Sequence, residues 1–269
     1  MSTALTFIIP VRHPENAKNW QTTKKNLTEV IRSISLQDSD DWQAVIVANK
    51  GSDLPKLPKG FSVAWVNFLP NKMHEKGSIQ QENFYDAFRW DKGRRVLAGL
   101  LHSKPEGHVM IVDDDDFVSS KLTSFVAKNR TYNGWYLGDG YIWSENQNFL
   151  YSYDDFSNLC GTSHIIRADL YNIPETMEDA TEEYVKRWLG SHIFIHTLLD
   201  NAGTPLQKLP FIGAVYRVGH SGAHSKSASI FRQYFLKKGL LKRPWEFGRR
   251  LMRLRLISPS IRNEFFGRA

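Results

Sequence analysis

His108-Val109-Met110-Ile111-Val112-Asp113-Asp114-Asp115-Asp116-Phe117 decides the reading of this chain. The run from His108 to Val112 is strand-sized and lacks polar alternation, which suits a strand covered on both faces of a parallel sheet. Four carboxylates follow at once. Adjacent carboxylates repel, and a folded chain rarely keeps four together at the end of a buried strand without a counter-charge. A divalent cation supplies one, because hard oxygen ligands hold Mg2+ or Mn2+ and substrate phosphates often complete the shell. The competing reading is a solvated turn that caps the helix after it.

Elements of the same kind flank this stretch on the N-terminal side. Leu5 to Val11 reads as a buried strand closed by Pro10, and Trp42 to Ala48 as a second, ending in the turn cluster Asn49-Lys50-Gly51-Ser52. Phe61 to Phe68 reads as a third. Asn26 to Leu36 sets Leu27, Val30, Ile31 and Ile34 at helical spacing, and Gly93 to Ser103 does the same with Val96, Leu97, Leu100 and Leu101. Strands alternating with helices predict an α/β sheet, whose ligands bind beyond the carboxyl ends of the strands. On the C-terminal side, Gly134 to Trp143, Leu159 to Ile166 and Phe211 to Val218 read as strands, and Ser191 to Asp200 as a helix.

A strand running into Asp-x-Asp-Asp resembles the Asp-x-Asp signature of GT-A glycosyltransferases, the family-2-like group in particular. Phe7-Ile8-Ile9-Pro10-Val11-Arg12 resembles that group's opening strand, Val45 to Ser52 its second strand, and Lys92-Gly93-Arg94-Arg95 the segment beside the diphosphate. The match covers roughly the first 120 residues. It implies a mixed α/β sheet flanked by helices, with a nucleotide-sugar donor (UDP first among bases) and Mn2+ or Mg2+. It implies donor contacts at Pro10, Arg12, Asn49, Lys92, Arg94, Asp113, Asp114 and Asp116, and metal ligation by Asp115 with Asp113. Asn49 stands where the family usually has Asp. It also implies a saccharide or lipid-linked saccharide acceptor in surface-glycan synthesis of the lipopolysaccharide or capsule type.

The sequence departs from the family where an acid at the start of a late helix usually serves as base. Gly190-Ser191-His192 occupies that place, so His192 is one candidate base, and Asp179 in Glu178-Asp179 is the other. His220 and His224 lie in a late loop, where a histidine can join the metal. A zinc pair is improbable there without a third ligand. Each histidine can equally be an ordinary polar residue. The aromatic stretch Trp135 to Tyr153 suits sugar stacking or core packing equally.

The chain has 269 residues and one cysteine, Cys160, which excludes an internal disulfide and a cysteine-based metal site. No signal-peptide pattern opens it, and the expectation is a cytoplasmic protein. Net charge is +7, yet Leu236 to Ala269 alone has ten Lys and Arg against two acids, leaving the remainder at −1. Residues 1–228 read as the catalytic domain, 1–120 its nucleotide-sugar half and 121–228 its acceptor half. Residues 229–269 read as a basic amphipathic helical tail, split at Pro244 and Pro259. Such a tail can lie on the inner face of a membrane. The alternatives are an anionic-surface or nucleic-acid binder acting through the tail, and another Mg-dependent nucleotide-processing enzyme. No recognisable nucleic-acid motif supports a nucleic-acid partner.

Overall fold

A computed structural model describes residues 3–71, 73, 81–219 and 244–267, without the side chains of 81–83. The fold is mixed α/β, with sheets flanked by helices, as the resemblance implies. Strands β1 (Leu5–Pro10), β2 (Trp42–Asn49), β3 (Phe61–Val66) and β4 (His108–Ile111) lie parallel in the order β3-β2-β1-β4. The sheet continues through β9 (His164–Arg167), antiparallel to β4, then β6 (Gly134–Tyr136) and β10 (Gln207–Lys208). A second sheet runs β12-β8-β7-β11-β5, built from Leu254–Leu256, Phe149–Tyr153, Gly140–Ser144, Ala214–Val218 and Phe117–Val118.

The unbroken apolar runs are explained by cover on both faces. In β1, Phe7 and Ile9 face the cluster holding Leu27, Val30, Ile31 and Ile34 of helix α1 (Trp20–Ile34). Ile8 faces the other way, toward Val96, Leu97 and Leu100 of helix α2 (Gln81–Ser103). Both helices start earlier than their apolar spacing shows. Asn19 caps α1 by accepting from the Gln21 and Thr22 amides, and the first turns of α2 carry polar residues that periodicity does not see.

Gly134 to Trp143 is two strands in two different sheets. The turn between them parts the aromatic stretch: Trp135 enters the main core, while Ile142 and Tyr151 form a smaller one. The expected helix from Ser191 begins only at Ile195. The described part of the tail is not helical throughout. β12 pairs antiparallel with β8, and Phe265 is buried among Phe117, Leu150 and Val215. Pro244 and Pro259 open helical segments rather than break them, since a proline in the first turn forfeits no hydrogen bond. Among the described residues no helix is long and apolar enough to cross a membrane.

Candidate functional site

β1 lies between β2 and β4, so the chain leaves β1 toward one side of the sheet and later returns on the other. The carboxyl ends of β1 and β4 therefore flank a topological switch point, where the diverging connections leave a crevice. Arg12, just past β1, reaches across to the acidic run after β4. Its Nη2 donates to Asp114 Oδ1 at 3.0 Å and its Nε to Oδ2 at 3.3 Å. Asp114 is buried. Burial lifts its pKa and Arg12 pulls it down, with Asp115 and Asp113 adding to the rise, and the balance lies above the ordinary value.

Lys92 of α2 forms an ion pair with Asp113. Gly161 passes directly over the pair: a Cβ there would lie 2.4 Å from Asp113 Oδ2 and 2.7 Å from Lys92 Nζ. The Asp113 amide donates to Thr162 Oγ1 at 2.9 Å, and that hydroxyl donates to Asp116 Oδ2 at 2.6 Å. The Cys160 thiol donates to the same oxygen at 3.2 Å, and the Arg217 amide donates to Oδ1 at 3.1 Å. Asp116 is wholly buried, and burial, then repulsion from Asp115 and Asp113, holds its pKa well up. It ties the acidic turn to β11 and to the loop before β9. Asp116 thus stands behind the crevice surface, holding the turn from below.

Arg12 and Lys92 neutralise Asp114 and Asp113 from within the chain, so a bound cation is not needed to hold the run together. Among the described residues no three His, Cys, Asp or Glu side chains are grouped to hold a metal. A small hard cation needs only one or two carboxylates when phosphates complete its shell. Half-buried Asp115 and Asp113, the latter's side chain 30% exposed, fit that smaller donor set.

The remaining expected donor residues are placed less directly. Pro10 is buried at the end of β1. Asn49 is 3% exposed, donates to the Phe68 carbonyl oxygen at 2.6 Å and accepts from Arg95 Nη1 at 2.8 Å. Its amide braces β2 against α2 rather than facing outward to a base. Arg94 pairs with Asp91, donates to the Leu69 carbonyl oxygen at 3.1 Å and stacks 4.4 Å over the Phe68 ring.

His192 precedes its helix by a turn and stands near Lys92. Next to Lys92, α2 packs tightly on the segment leading to His192: a Cβ at Gly93 would lie 2.1 Å from the Val185 carbonyl oxygen. Lys92, Gly161, His164, Ser191 and His192 help to line a cavity of about 20 Å³, room for one water. Burial, then the Lys92 charge, pushes the His192 pKa down to about 4. Asp179 is exposed and accepts from the Thr176 amide at 3.1 Å and hydroxyl at 2.7 Å, a local turn outside the lining of that cavity. His220 and His224 lie outside the described residues.

His164 sets a measurable pH dependence. Burial, then the charges of His192 and His196, pushes its pKa to about 3. An unfolded histidine titrates near about 6.5, so on acidification the unfolded chain takes up this proton first. The stabilisation is whole above that value and lost as pH falls toward about 3. Below pH ~6 this one group should cost about 1.4 kcal/mol per pH unit. Urea unfolding at stepped pH should show that slope flattened in His164→Gln. An unchanged slope would refute the assignment.

Gly161, Thr162 and Arg217 carry no expected role from the sequence, and Arg95 only its place in the segment Lys92 to Arg95. A run of small residues before a strand, and a lone arginine inside an apolar strand, were the signals available for the first two and for Arg217.

No family model matches the chain, and no curated protein is significantly similar to it. Solved structures resemble it distantly. TarS 1–349 from S. aureus shares 14% identity at TM-score 0.46, over 80% of this chain and 60% of that one. A longer TarS structure from S. aureus shares 14% identity at TM-score 0.42, over 96% of this chain and 50% of that one. Rv0371C from Mycobacterium tuberculosis H37Rv, solved as a complex with manganese, shares 11% identity at TM-score 0.37, over 80% and 92%. The chain thus spans only about half to three fifths of the TarS chains.

Proposed function

We propose that the chain is a glycosyltransferase moving a sugar from a nucleotide-diphosphate donor, UDP-linked by first expectation, to a saccharide acceptor in surface-glycan synthesis. The observation that carries this reading is the switch-point crevice between β1 and β4, in which Arg12, Lys92 and the carboxylates of Asp113 and Asp115 meet. A nucleoside diphosphate brings negative charge there, and Arg12 and Lys92, held in place by Asp114 and Asp113, would have to share their charge with it. Charge develops on the departing phosphate as the sugar leaves, and fixed donors aimed at that charge lower the barrier. Asp115 and Asp113 would hold Mn2+ or Mg2+, which when bound supplies Lewis-acid stabilisation of the same charge.

His192 is neutral at neutral pH, since its pKa lies near about 4, so a ring nitrogen can take the proton of an acceptor hydroxyl. That low value makes it a weak base, whose usefulness depends on being held close to the hydroxyl. The cavity beside it holds one water and no sugar, so the acceptor would bind outside it.

Calorimetric titration of a panel of nucleoside diphosphates, with Mn2+ and then with EDTA, tests this reading. One nucleotide should bind with the metal and be released by the chelator. Failure of every nucleotide under both conditions would end the proposal.

A further inference from the structure

The helix Pro244–Leu251 has two unlike faces. Phe247 packs on the cluster of Ile142, Tyr151 and Val218, beside Leu254 of β12. At about 100° per residue, Trp245, Arg249 and Met252 fall on the opposite side. The Met252 amide donates to the Gly248 carbonyl oxygen at 3.0 Å, so the helical course reaches that far. Trp245 is 85% exposed and Met252 69%, and Leu256 at the end of edge strand β12 is 78% exposed. A single exposed apolar residue needs no explanation, but a tryptophan and a methionine on one helix face, with a leucine in the strand that follows, do.

Arginines outnumber the acids beside them. Glu246 pairs with Arg250, and Asp154 pairs with Arg253 at 2.6 Å. Arg249 and Arg255 are exposed; Arg255 Nη1 donates to the Leu254 carbonyl oxygen at 3.0 Å, and the Arg249 charge is felt by Asp154. The sequence around this segment is basic as well, with ten Lys and Arg against two acids from Leu236 to Ala269.

We infer that this face docks on an anionic lipid bilayer. Tryptophan partitions at the headgroup level, methionine and leucine gain by leaving water, and arginine stems lie along apolar surface while their heads reach lipid phosphate. A nucleic acid would use the arginines and leave Met252 and Leu256 in water. β12 lies across the second sheet from β5, which directly continues the acidic run. Four strand spacings put that edge roughly 19 Å from the run, so docking would bring the crevice near acceptors carried by the membrane. The docking itself stands apart from the transferase reading, because it is measured without turnover.

The test is co-sedimentation of the full chain with phosphatidylcholine vesicles, and with vesicles of phosphatidylcholine and phosphatidylglycerol at roughly two to one. Binding should require the anionic lipid and weaken with salt. Trp245→Ser with Met252→Ser should weaken it at least about tenfold, and Arg249→Glu about tenfold or more. These side chains face outward, so thermal melting of the variants should match the parent, which separates lost docking from lost folding. Equal binding to neutral vesicles, no binding to either, or variants that bind like the parent would overturn the inference. So would capture by duplex DNA in place of vesicles, or self-association that disappears in the double variant while vesicles are ignored.

Discussion

Asp115→Asn is expected to lower sugar transfer about a thousandfold while the chain stays folded, with only a small change in melting temperature. The Asp115 charge raises the pKa of both Asp114 and Asp116, which burial has already pushed up. Neutralising it relieves that repulsion and leaves Arg12 and Lys92 on their own partners, Asp114 and Asp113. Asp115 also attracts the Arg12 guanidinium, so its loss should tell on the charge balance of the site as well as on the ligand. Transfer from the donor found by calorimetry, measured beside scanning calorimetry of both proteins, checks the result. If activity and melting temperature fall together, Asp115 is part of the scaffold. If neither moves, it takes no part in the site.

The main sheet was legible because its strands are covered on both faces. Runs such as Leu5 to Val11 and Ala44 to Ala48 leave no other reading once helices with matching apolar stripes separate them. The second sheet was not legible. β5 has two residues and β12 three, and each exists through pairing with distant strands rather than through a pattern of its own. The same limit applies to the site. The acidic run announces itself as four adjacent letters, but what each carboxylate does depends on residues far along the chain. Asp114 is set by Arg12, Asp113 by Lys92, and Asp116 by Cys160, Thr162 and the Arg217 amide. Spacing along the sequence cannot separate the buried Asp116 from the half-buried Asp115 beside it. Asn49 shows the converse: it stands at the expected strand end, and only the buried Arg95 reveals that its amide points inward.

Arg217→Ala is expected to destabilise the fold by about 2–4 kcal/mol, below the range for a fully buried ion pair because Glu29 keeps contact with water. Arg217 is 1% exposed in β11. Its Nη1 donates to Asn26 Oδ1 at 2.6 Å and its Nη2 pairs with Glu29, both on α1. Its guanidinium also lies 4.7 Å over the Phe117 ring and 5.2 Å over that of Trp143. Truncation empties this space and leaves buried Asn26 without its donor, while Glu29, its side chain 28% exposed, loses its ion-pair partner. Arg217→Met with Glu29→Gln should recover much of the loss, because filling the volume while removing both charges leaves none stranded. Urea unfolding of parent, single and double variants measures this directly. A single-variant loss below about 1 kcal/mol, or a double variant no better than the single, would refute the pairing as the source of stability. The bond from the Arg217 amide to Asp116 is made by the main chain and survives both changes. Donor binding by the double variant should therefore match the parent, separating what the buried arginine does for folding from what the acidic turn does for the donor.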